Sequence, residues 1–188
     1  MAKEKQAKTL RTFRKIHRTT GAFLFVFFFI VAITGLLLGW KKHSGGLLLP
    51  KSYQGTSTDL KDWLPLDSLH MIANKILIDS VSSAISLDLE RIDIRKDKGM
   101  VKFIYVEKFY GVQLDGSTGN LLHIERRRSD FIEKVHDGSI LDYYFKTSNG
   151  QIKLVYTSIM GSALIVFTIT GFWLWYGPKR MRRLNRND

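Results

Sequence analysis

The sequence predicts an α+β membrane protein. Two transmembrane helices pair as a hairpin, and a domain of one helix plus an antiparallel sheet is inserted between them, outside the membrane. Three observations predict this. Residues 20–40 contain no charged side chain and carry Phe23, Phe25, Phe27, Phe28, Phe29 and a run of aliphatic residues. Residues 152–176 are nearly as apolar, with Lys153 as their only charge. Between the two, residues 87–126 alternate apolar and polar, broken by glycine turns, which is the period-two pattern of strands. At about 1.5 Å per residue, each apolar stretch covers the ~30 Å thickness of a bilayer's hydrocarbon core. A helix apolar all round is buried only by lipid or by a very large core. A chain of 188 residues with a polar middle has no such core.

The charge is placed where a membrane protein needs it. Residues 1–19 carry Lys3, Lys5, Lys8, Arg11, Arg14, Lys15 and Arg18 against Glu4, and residues 177–188 carry Lys179, Arg180, Arg182, Arg183 and Arg186 against Asp188. The ends thus hold +6 and +4 of the total of +12. Basic residues flanking apolar spans mark the cytoplasmic side, so both termini are expected there, with anionic lipid as a further partner of the same charges. The middle has no basic stripe with interleaved aromatics, which argues against nucleic acid. No cysteine is present, which excludes disulfides, thiolate zinc sites, cysteine-held iron–sulfur clusters and c-type haem attachment. The first apolar run is longer than a signal-peptide core and lacks a small-residue cleavage site, so it reads as an anchor that stays.

In chain order, residues 1–19 are expected as a basic cytoplasmic helix end or tail, and residues 20–40 as the first transmembrane helix. Gly35 and Gly39 give that helix a small-residue spacing that lets another backbone approach. Residues 41–151 form the outer domain, with its core at about residues 60–126. Gly45, Gly46, Pro50 and Gly55 make residues 44–62 linker-like. Asp67 is placed to cap a helix over residues 68–79, with Leu69, Ile72, Ala73 and Ile76 on one face. His70 lies off that stripe and is expected on the solvated face. Strands follow around Leu89–Ile94, Val101–Val106, Tyr110–Leu114 and Asn120–Arg126, with turns at Lys98-Gly99 and Asp115–Gly119. His123 is expected as an ordinary exposed strand residue, and Arg126-Arg127-Arg128 as a solvated edge, with an anionic lipid or ligand as the lesser alternative. Asn149-Gly150 turns the chain into the second transmembrane helix, residues 152–176. That helix contains Ile169-Thr170-Gly171, an echo of Ile33-Thr34-Gly35 in the first. Gly177-Pro178 is expected to end it before the basic tail, residues 177–188.

Several of these motifs resemble one family. Tyr110 to Leu122, a strand with an Asp-x-x-Thr-Gly turn and a second strand, resembles the PepSY domain. Lys15-Ile16-His17-Arg18-Thr19-Thr20-Gly21 resembles the start of the first helix of PepSY-associated transmembrane proteins. Residues 131–138 and 168–175 resemble their later helix. The resemblance covers most of residues 13–180. It implies a bacterial inner-membrane protein linked to iron acquisition, with a periplasmic PepSY-like domain. The better understood relatives are ferric-siderophore reductases with haem b held by histidines between helices. Carried over, His17 and His136 match the family's motif positions, and His43 matches less closely. Reductase-type relatives have more membrane helices than the two found here, so a haem site in this chain calls for a homo-oligomer or a membrane-protein partner.

Six-coordinate haem b needs two imidazoles facing each other across the ring, supplied by facing helices. His17 and His43 are ~39 Å apart if the intervening chain is helical, too far for one site. His43 and His136 both flank the outer side and form the possible pair. Asp137 either orients an imidazole or caps a turn. His17 has no partner on the inner side of its own chain. No dinucleotide fingerprint occurs, so electrons would come from a quinone or another protein. No arrangement of residues argues for hydrolysis. Two functions are therefore expected in competition. One is a haem-bearing electron carrier for ferric-siderophore or haem iron. The other is a non-enzymatic PepSY module anchored to bind a partner in an envelope complex.

Overall fold

The computed structural model describes residues 2–186. Met1, Asn187 and Asp188, which belong to the two basic ends, lie outside the described residues. The chain divides into a helical unit, residues 1–36 with 134–188, and an outer unit, residues 37–133. The fold is α+β, with a long apolar helix at each end and a four-stranded antiparallel sheet between.

In the helical unit, α1 runs from Ala2 to Trp40 without a break. No glycine or proline falls between Ala2 and Thr20, so nothing separates the basic segment from the apolar one. The fifth helix, α5, runs Gln151–Arg186. The two lie antiparallel, because contacts rise in number along α1 as they fall along α5. Gln6 donates to the Gly177 carbonyl at 3.2 Å, and Leu10 packs against Gly177 itself. Phe13 meets Trp173 edge-on at 5.9 Å, and Phe28 meets Phe167 at 5.7 Å. The expected stop at Gly177-Pro178 does not occur, since α5 continues through Pro178. Proline removes one N–H from a helix. Gln6 and Leu10 meet the backbone at Gly177, the residue before the proline. The outward faces carry bare apolar side chains, among them Phe23 at 80% exposure, Leu36 and Ile165. Both helices are long and apolar enough to cross a membrane.

Before α5 lies α4, Ser139–Phe145. Its Asp142 carboxylate accepts from the backbone of Ile152 at 3.1 Å and Lys153 at 2.7 Å, and from the Thr147 hydroxyl. That satisfies orphan donors at the start of α5. Asn149 and Gly150 take positive φ in the preceding turn, as the sequence predicts.

In the outer unit, α2 spans Leu66–Ser80. The strands are β1 Leu89–Arg95, β2 Met100–Tyr105, β3 Tyr110–Asp115 and β4 Leu121–Arg126, in the meander order β1-β2-β3-β4. Gly99 makes the β1–β2 turn at φ +64°. Leu69, Ala73 and Leu77 of α2 pack on Val101, Phe103, Tyr105, Val112 and Leu114. Asp67 lies in the first turn of α2, behind Pro65 as the cap, so it favours the helix dipole instead of capping it.

The other face of the sheet departs from expectation. All six residues of β2 are buried, because the linker-like segment lies down on that face. Gln113 donates to the Lys51 carbonyl at 2.8 Å and accepts from the Tyr53 backbone at 3.1 Å. Lys98 donates to the Ser52 carbonyl at 3.2 Å. Beneath it, Glu125 accepts from Gln113, from Lys102 at 3.4 Å and from Arg127 at 3.1 Å. Arg127 also donates to Asp130 at 2.8 Å, as does Arg91. The basic run is thus a solvated edge only at Arg126 and Arg128, while Arg127 is buried.

Burial pushes the Asp130 carboxyl up, but the hydrogen bond and charge of Arg127, with Arg91, outweigh it and hold the group below its ordinary value. A depressed carboxylate contributes stability that is present above the unfolded value, about 4, and lost as pH falls through the folded one. Arg127→Ala is expected to cost about 1.5–3 kcal/mol, because Glu125 and Asp130 each lose one charged partner and keep the other, Lys102 or Arg91. Arg126→Ala should stay within about 0.5 kcal/mol. Thermal unfolding in detergent between neutral pH and pH 3 checks both, and the Arg127 variant should lose the part of the acid sensitivity that Asp130 carries.

Candidate functional site

The two candidate histidines of the helical unit meet the two halves of the repeated Ile-Thr-Gly motif, crosswise. His17 stands on α1 and its Nδ1 is 3.0 Å from the Thr170 hydroxyl on α5. His136 is the last residue of α3, Arg128–His136, and its Nδ1 is 2.9 Å from the Thr34 hydroxyl on α1. The glycine after each threonine makes room for the ring. A Cβ on Gly171 would stand 3.3 Å from His17 Cε1, and one on Gly35 would stand 3.4 Å from His136 Cε1. Phe167 stacks on the His17 ring at 3.8 Å between centroids.

The threonines bear on the tautomer. A hydroxyl has one hydrogen to give. The Thr170 hydroxyl lies 2.7 Å from the Val166 carbonyl, and the Thr34 hydroxyl 2.6 Å from the Ile30 carbonyl, each one turn back on its own helix. In the arrangement that keeps these backbone bonds, each hydroxyl oxygen accepts from the histidine Nδ1–H, and the lone pair of the ring lies on Nε2. Neither Nε2 has a hydrogen-bond partner among the described residues, and neither is among the fully enclosed atoms that lack one. Both rings are half-buried. The levels of His17 and Thr34 are ~26 Å apart along α1, close to the apolar thickness of a bilayer.

The other sequence candidates fall differently. His43 closes the short 3-10 turn Lys41–His43 after α1 and is exposed. His70 is not on a solvated face. It stacks on Phe103 at 5.5 Å, and its Nε2 is enclosed with no partner, because α2 presents a wider face to the sheet than its four-residue stripe. His123 is half-buried, with its ring 5.0 Å from Tyr53, since the linker covers that face. Asp137 serves the turn. It accepts from the Ser139 backbone at 2.9 Å and pairs with Lys153 at 2.5 Å. Burial raises its carboxyl, and these contacts reverse that and hold it low. No group of three ligating side chains suited to a metal ion is found among the described residues. Thr34 and Thr170 are the partners of these histidines that the sequence reading missed. The repeat of Ile-Thr-Gly once in each apolar helix was the available signal.

Two long apolar helices, tied together by His17 and Thr170 and joined to α3 by Thr34 and His136, define a membrane protein with two like histidine–threonine contacts at different levels along α1. The chain belongs to the family of the PepSY-associated TM region, whose model matches residues 14–187. His17, Thr34, His136 and Thr170 all fall inside that match. No curated protein and no solved structure matches the chain.

In 15N-labelled protein without haem, in alkaline buffer, His17 and His136 are expected to carry a proton on Nδ1 and none on Nε2, read from two-bond nitrogen–proton correlations. Thr170→Val and Thr34→Val should each release one ring, at a cost of about 1 kcal/mol. An Nε2–H form at either ring of the unaltered protein would contradict the assignment.

Proposed function

We propose that this chain is a bacterial inner-membrane haem b electron-transfer protein that serves iron acquisition, delivering electrons for the reduction of ferric-siderophore or haem iron. In this reading both termini are cytoplasmic, the outer unit is a periplasmic PepSY-like domain, and the sites at His17 and His136 serve the inner and outer sides. The observation that carries it is the pair of imidazoles whose Nδ1 each meets a threonine hydroxyl, leaving Nε2 without a partner among the described residues. A haem iron takes that nitrogen, with the other ring nitrogen fixed by a hydrogen bond. The donor set therefore fits the group. Bound haem supplies one-electron chemistry. The chain's own residues orient the imidazoles through Thr34 and Thr170, make room through Gly35 and Gly171, and keep water away with apolar helix faces. His43 has no comparable anchor among the described residues and serves as the comparison. The electron source in this reading is a quinol or a protein partner, since the sequence lacks a dinucleotide fingerprint.

A second reading rests on a different observation. The outer unit has its own complete core of α2 and four strands, which suits a non-enzymatic binding module held at the membrane by two helices.

An absorption spectrum separates the two. Protein expressed with haem supplied and purified in detergent is expected to show a Soret band that shifts on dithionite. His17→Ala and His136→Ala should each lose a large part of it, and His43→Ala should lose little. A featureless spectrum, with no haem uptake on reconstitution, leaves the binding module as the function.

A further inference from the structure

We infer that the partner completing each site is a second copy of this chain, so that each haem is clasped by the same histidine from two protomers. The inference rests on the haem reading above. The helical unit contains two histidines, His17 and His136, and they lie ~26 Å apart in depth. Each level therefore offers one imidazole, while a six-coordinate haem takes two. Neither Nε2 is fully enclosed within its own chain, so the second imidazole can come from a neighbour. On α5 the Cβ position of Gly161 meets nothing within 4 Å, and a small residue there lets another backbone come close.

Symmetry fixes which residues meet. Dimers of identical chains are mostly two-fold. The basic ends must stay on one side of the membrane, so the axis runs along the membrane normal. Such an axis preserves depth. His17 can then meet only the partner's His17, and His136 only the partner's His136. A dimer holds four apolar helices and two haems, or one haem per chain.

Two coexpressed variants, His17→Ala and His136→Ala with different affinity tags, test this. Each homodimer is expected to keep one of the two haems and a low-spin six-coordinate spectrum. That result also controls for folding. The heterodimer, isolated through both tags, is expected to have no pair of like histidines left and to lose the low-spin spectrum at both levels. Haem content and protein mass by light scattering give the stoichiometry. A heterodimer with half the wild-type low-spin haem, two haems on a monomer, or a methionine as the second axial ligand would overturn the inference while leaving the haem reading intact. The absence of any Soret band in every preparation would overturn both.

Discussion

Two threonine–histidine contacts organise the helical unit. Thr34 and Thr170 each lie within hydrogen-bond reach of a carbonyl one turn back and of a histidine Nδ1 from another element. With the hydroxyl hydrogen on the carbonyl, the oxygen accepts from Nδ1–H and the ring keeps its lone pair on Nε2. The bond also ties elements distant in sequence, α3 to α1 and α1 to α5, where apolar side chains alone favour lipid as much as one another. Glycine follows each threonine, so the imidazole edge lies close to the helix backbone, where a Cβ would stand 3.3 or 3.4 Å from the ring.

The outer unit solves a different problem. Its sheet is covered on both faces, one by α2 and one by an extended segment with little regular structure. A covering segment of that kind brings unpaired backbone groups with it, and Gln113, Lys98 and Ser129 are spent on them. The ion network around Glu125 and Arg127 lies under the same cover, where charges persist only when paired and hydrogen-bonded.

Most of the architecture was legible in the sequence because it depends on periodicity. The two apolar runs, the meander with its turn at Gly99, and the positive φ at Asn149 and Gly150 all follow from local chemistry. What was not legible depends on contacts far along the chain. Nothing near Pro178 announces that Gln6 and Leu10 meet the helix beside it. Nothing in residues 51–55 announces that Gln113 is waiting beneath them, so a segment rich in glycine and proline reads as a loose linker. Arg127 looks like its neighbours until Glu125 and Asp130 are brought to it. At the site, the histidines stood out as residue types, whereas their partners are ordinary threonines. Only the doubled Ile-Thr-Gly set those apart, and its meaning lies in the crossing of the two halves.

That crossing has a consequence for biogenesis. His17 and its threonine are separated by 153 residues, so the ring near the start of the chain cannot meet its partner until the last helix has been made. The His136–Thr34 pair, separated by 102 residues, has both members available earlier. The two pairs therefore become complete in a set order during synthesis, His136 with Thr34 first. A chain cut short within α5 before Thr170 would display one finished site and one loose imidazole.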